Sequence, residues 1–205
     1  MTQSHNSRKG FTLIELLLVV LISAFLSAIV ITYSSVGRNE ITLSVQSTAL
    51  AQTLARARAL ALATYRDSAA PSACGYGVAF NAAADTYSVV VYEKPAGATS
   101  CPDATTVEAS GIVASNIVQY TPSTWGIALQ NGVKFAPPHP GSTTLTLAVF
   151  YPPEPAALLS ESSCLPGDPS CTYAFISSPG TIGLATIDGA ANAAITVGTT
   201  GQISW

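Results

Sequence analysis

The chain opens with a polar decapeptide, residues 1–10, and then turns apolar. From Leu16 to Tyr33 it carries no charge, and Leu, Ile, Val, Ala and Phe dominate the stretch 11–33. As a helix rising 1.5 Å per residue, that stretch reaches roughly 35 Å, more than the ~30 Å hydrocarbon core of a bilayer. The pattern predicts a membrane-spanning helix. Arg8 and Lys9 before it predict a cytoplasmic leader and an exported C-terminal body. A secretory signal fits less well, because its apolar region is shorter and a small-residue cleavage site follows it. A plain signal anchor leaves Glu15 unexplained: a carboxylate just inside an apolar span is costly in lipid and calls for a partner or a function.

Helical periodicity continues past Gly37, which weakens the helix by about 1 kcal/mol relative to Ala. Leu43, Leu50, Leu54, Ala57 and Ala61 recur at spacings of three, four or seven and form one apolar stripe, with Arg56, Arg58 and Arg66 lying away from part of it. The helix is predicted to end near 65–68, ahead of Pro71. Beyond it the pattern changes to short β-like runs at 75–80, 86–92, 112–120, 125–130, 143–151, 173–177, 181–187, 194–197 and 202–205. A Cys/Pro/Gly-rich loop is expected at 95–106, turns at 131–132 and 178–180, and a surface-loop insertion at 152–171. The predicted fold class is α+β: a long N-terminal helix, half membrane-spanning and half amphipathic, packed on an antiparallel sheet domain. The boundaries read 1–10 leader, 11–36 transmembrane or filament-core helix, 37–68 amphipathic continuation and 69–205 exported β-rich domain.

Composition adds two facts. Charged residues make up 9% of the chain, against roughly 25% in an average soluble domain, which suits an extracellular or filament setting better than the cytosol. From Asp67 onward there are nine acids and two lysines, Lys94 and Lys134, so the body repels phosphate backbones and nothing in its charge supports nucleic-acid binding. The four cysteines, Cys74, Cys101, Cys164 and Cys171, suit two disulfides in an exported chain. Three connectivities are open. Cys74–Cys101 and Cys164–Cys171 are favoured because each closes a Pro/Gly-containing excursion, with free buried thiols as the alternative.

Lys9, Gly10, Phe11, Thr12, Leu13, Ile14 and Glu15, followed by a long apolar run, resemble the cleavage and methylation motif of type IV pilins and type II secretion pseudopilins. The resemblance implies a pilin-like fold, cleavage by prepilin peptidase between Gly10 and Phe11, and N-methylation of Phe11. It also implies that Glu15 meets the N-terminal amine of a neighbouring subunit during assembly. A carboxylate and an ammonium buried together in an apolar bundle each need the other, so the pair can set register. Residues 52–66 with the strand at 74–80, and the C-terminal 194–203, are similar to the H-type minor pseudopilins. The 152–171 insertion and the acidic body depart from that group. Some relatives in transformation pili bind DNA through basic C-terminal residues, but the tail 198–205 here has no Lys or Arg.

No catalytic constellation stands out, and the chain is expected not to be an enzyme. His139 sits in a Pro-rich loop, no nucleophile elbow surrounds any Ser, and neither a cofactor motif nor a metal-ligand spacing occurs. Asp103, Glu108, Asp168 and Asp188 are candidate calcium ligands, but their spacing fits no defined loop and ordinary solvated acids account for them. Trp125 is expected in the core. Trp205 is expected to cover a sheet edge or contact another subunit, and Arg56, Arg58 and Arg66 are candidate subunit contacts, with Asp67 or Glu40 of a neighbour as their acids. The expected role is a structural minor subunit of a secretion pseudopilus or a type IV pilus, placed single-pass in the cytoplasmic membrane before assembly. The alternatives are a major pilin of the shaft and a DNA-binding minor pilin. Expected partners are other pilin subunits, prepilin peptidase, the inner-membrane assembly platform and, before assembly, membrane lipid.

Overall fold

The computed structural model describes residues 12–66, 72–120, 126–130, 132–137, 144–152 and 156–205, except for the side chains at 30–36 and 64–66. Helix α1, Leu13–Arg66, runs through Gly37 and ends at the predicted place. The chain divides into two compact units, Met1–Arg38 and Asn39–Trp205.

In the first unit the described side chains are those of 12–29 and Arg38, and all of them are exposed. Among the described residues, no helix is long and apolar enough to cross a membrane. That finding corrects the membrane-spanning half expected at 11–36, and with it the single-pass placement in the cytoplasmic membrane. The described apolar run, 13–29, falls short of the ~20 residues a span needs and holds the charged Glu15.

In the second unit the architecture is α+β, with a helix packed on antiparallel sheet. Leu43, Leu50, Leu54, Ala57 and Ala61 are all buried, as the helical period predicts. They pack on a main sheet whose strands are β1 (Ala73–Asn81), β2 (Thr86–Glu93), β4 (Ile117–Gln119), β7 (Leu147–Tyr151) and β8 (Ala156–Ser160). Its order is β4-β2-β1-β7-β8, and β5 (Ile127–Ala128) pairs with the far end of β2. A second sheet, in the order β12-β11-β10-β6, contains β6 (Val133–Phe135), β10 (Gly180–Thr186), β11 (Asn192–Val197) and β12 (Ile203–Ser204), and contributes to the same core.

The main sheet is buried on both faces. Along β7, Ala148 and Phe150 join α1 in the first core, while Leu147, Val149 and Tyr151 belong to a second core on the opposite face. That second core is closed by helix α2 (Ala104–Ser110), by the strand pair β3 (Ile112–Val113) with β9 (Thr172–Tyr173), and by two disulfides. Cys74–Cys101 and Cys164–Cys171 bridge Cα atoms 5.5 and 5.7 Å apart.

Several elements differ from the sequence pattern, among them β6, a strand at Val133–Phe135 where none was expected. Residues 112–120, expected as one strand, are broken by a 3₁₀ turn at Ala114–Asn116. There the Ala114 N–H donates to the Cys171 carbonyl, and the Gly167 N–H donates to the Ala114 carbonyl. Docking of the Cys164–Cys171 loop therefore divides the run between two sheets. Within the 152–171 segment expected as a loop, Ala156–Ser160 is a strand with four of its five residues buried. Its Ala/Leu composition carries little β preference, and pairing with β7 on an apolar face overrides that. Helix α2 likewise begins inside the expected 95–106 loop, held by Val107 in the second core.

The close pairing of β1 with β7 depends on glycine. A side chain at Gly77 would collide with the Ala148 carbonyl oxygen and stand 2.9 Å from the Val149 Cα. Because both faces of this strand pair are packed, neither strand has room to retreat. Gly77→Ala is therefore expected to lower stability by about 1–3 kcal/mol, read as a shift in the denaturation midpoint. An unshifted midpoint would show that the sheet yields there.

Candidate functional site

Helix α1 opens at Thr12, whose carbonyl accepts the N–H of Glu15 at 3.1 Å and that of Leu16 at 3.2 Å. Glu15 thus lies in the first turn, where the helix macrodipole favours a carboxylate. Around it the helix is apolar on all sides: Leu13 is 82% exposed, Ile14 76% and Phe25 70%, with Leu16, Leu17, Leu18, Val19 and Val20 also exposed. The two serines do not make this surface polar. The Ser23 hydroxyl donates to the Val19 carbonyl at 2.9 Å, and that of Ser27 donates to the Ser23 carbonyl at 2.8 Å, so both are satisfied within the helix. A helix that is hydrophobic all round is ordinarily buried, so this segment presents apolar surface left uncovered among the described residues. Gly10 and Phe11 lie outside the described residues, as do Asp67, Trp125 and His139.

The remaining predicted positions are dispersed. Arg56 is exposed on the outer face of α1. Arg58 is half-buried, with its Nε enclosed and lacking a hydrogen-bond partner among the described residues. Arg66 ends the helix, and its side chain is outside the described set. Trp205, one residue beyond edge strand β12, is 71% exposed. Asp188 sits in the turn after β10. There hydrogen bonds from Thr186, from the Ala190 N–H and from Asn39 (3.0 Å) hold its carboxyl below the usual carboxylate range. Asp168 is lowered by hydrogen bonds from Ser170 in the Cys164–Cys171 loop. Among the described residues, no group of three or more His, Cys, Asp or Glu side chains comes together to hold a metal ion.

A groove of about 510 Å³ opens beside β1, β2 and β4, lined by Phe80, Thr86, Tyr87, Ile117, Val118 and Leu165 among others. Its lining contains no carboxylate, amine, imidazole or thiol, so the chemistry on offer there is hydrogen bonding by hydroxyls and by the carboxamides of Asn81 and Gln119, and apolar contact. The strongest pKa perturbations lie instead in the second core. Burial, reinforced by Tyr92 and Asp103, pushes the Tyr151 hydroxyl up to about 12, and that hydroxyl donates to the Pro102 carbonyl. Tyr173 is fully buried, donates to the Cys164 carbonyl at 3.0 Å, and is raised further by burial and by Asp168. Tyr151 ties the segment after Cys101 to the main sheet, Tyr173 ties the Cys164–Cys171 loop to β9, and both work structurally. Neither role was visible in the sequence, since a tyrosine's partner here is a backbone carbonyl distant along the chain.

The family model of the prokaryotic N-terminal methylation motif matches residues 5–31. No curated protein matches the chain, and no solved structure does. The chain carries a prepilin-type methylation and cleavage motif at its N-terminus, consistent with the broad pilin and pseudopilin superfamily.

The buried tyrosines set an alkaline limit on stability. Tyr151 keeps its proton to about 12 when folded but only to about 10 when unfolded. Its contribution is therefore complete below about pH 10 and is lost as pH rises toward 12. Denaturation midpoints should hold steady up to about pH 10 and then fall, and Tyr151→Phe should flatten the fall. An unchanged slope in that variant would assign the effect elsewhere.

Proposed function

We propose that this chain is a structural subunit of a type IV pilus or a type II secretion pseudopilus. In this reading it is processed at Gly10–Phe11, N-methylated at Phe11, and assembled through its N-terminal helix. The observation that carries the reading is the match at residues 5–31 lying on a helix whose apolar side chains are exposed all round. Burying those side chains among the helices of other subunits supplies the cohesion, at about 25 cal/mol per Å² removed from water. Glu15 supplies register: within such a bundle its carboxylate is compensated by the methylated amine of the neighbouring subunit.

Within that class, the reading is a minor subunit related to the H-type pseudopilins, working with prepilin peptidase and an assembly platform. Its support is the helix 39–66 seated on an antiparallel domain that ends in the β10–β11–β12 meander. No specific observation favours the shaft-forming alternative. The DNA-binding alternative meets an acidic body and a tail without Lys or Arg.

Mass spectrometry of the chain recovered from filaments should find it beginning at Phe11 with one added methyl group. Glu15→Leu should abolish incorporation while leaving both disulfides formed. Recovery of filaments in which residues 1–10 are retained would overturn the processing reading, and normal incorporation of Glu15→Leu would remove the register role.

A further inference from the structure

The alternation along β7 sets two outer surfaces of the second unit on opposite sides of the main sheet: α1 on one and α2 on the other. Around the exposed Arg56 and the exposed Glu108 their charges are of opposite sign, although α1 also carries Glu40 near its entry to this unit. Between Ile41 and Arg66, α1 has no carboxylate and three arginines, whereas from Pro95 to Val133 the chain has no Lys or Arg and carries Asp103 and Glu108. Arg56 lies more than two turns before the end of α1, so the macrodipole, which acts within the last turn, does not account for it. No carboxylate pairs with it among the described residues.

The two surfaces also match in relief. Arg56 stands between exposed Ala55 and Ala59, and Glu108 between exposed Thr105 and Ala109. Small neighbours on both helices let the backbones approach until the two charges meet, and they leave few long side chains to immobilise. Val107, the inward residue of α2, is buried, which fixes Glu108 outward.

We propose that the outer face of α1 around Arg56 docks onto α2 around Glu108 of a second copy of this chain. Because the two surfaces are different and lie on opposite sides of one unit, the contact between the two copies is head-to-tail. The inference rests on the subunit reading and adds to it a contact in the folded body, separate from the N-terminal helix. Complementary charge sets the orientation and rate of such an encounter, and a close pair across an interface contributes measurable affinity.

The test uses the full-length chain. In Arg56→Lys, which keeps the charge, a zero-length carbodiimide link should join positions 56 and 108. In a single copy these lie on opposite faces of the sheet, so a linked peptide reports two copies. Arg56→Glu should weaken self-association about tenfold, as should Glu108→Arg, and the double reversal should recover it. Glu108→Gln gives a milder variant, and intact disulfides in each chain certify folding. Assembly indifferent to Arg56→Glu, a double reversal that fails to recover, or a link from position 56 to a different protein overturns this contact and leaves the subunit reading standing. A wild-type chain that does not self-associate removes this contact, whereas filaments that never contain the chain remove the subunit reading.

Discussion

Apolar helix surface has to be taken out of water, and α1 has more of it than the domain can cover. From Leu43 to Ala61 the stripe of Leu and Ala is buried under two antiparallel sheets, a closed problem solved within the chain. From Leu13 to Ile29 the side chains are as apolar and stay exposed. The rest of the structure follows from that difference. The second unit is a packed body, and the described side chains of the first, 12–29 and Arg38, are exposed.

The body invests heavily in rigidity. Its main sheet is buried on both faces, with α1 on one and a layer of short elements on the other. That second layer has little regular structure: one seven-residue helix and a two-residue strand pair. What holds it is covalent and polar. Disulfides at Cys74–Cys101 and Cys164–Cys171 restrict the unfolded chain, and Tyr151 and Tyr173 reach across to loop carbonyls that would otherwise be buried without partners.

Charge adds direction to this plan. With 9% charged residues the surface has few ion pairs to spread over, so where the signs fall matters more than how many there are. The exposed Arg56 on α1 and the exposed Asp103 and Glu108 on the opposite layer place unlike charges on the two sides of the main sheet.

The sequence by itself determined the motif at Lys9–Glu15, the buried face of α1, the hairpin of β1 and β2, and the closing meander β10–β11–β12. Each is written in local chemistry: a residue pattern, a period of 3.6, or a period of 2 between turn signals. It also favoured the disulfide pairing that the structure contains. Only the tertiary structure decided that Ala156–Ser160 is a buried strand, that 112–120 is split between two sheets, and that a helix at Ala104–Ser110 seals the second core. Those outcomes depend on which apolar face each short segment meets, and that face is assembled from residues far away in the chain. The membrane span is the instructive case. Hydropathy along the sequence pointed to lipid, whereas the described helix is too short an apolar run to cross it. The sequence shows that a surface must be covered, and only the geometry of the covered and uncovered parts shows where a partner has to fit.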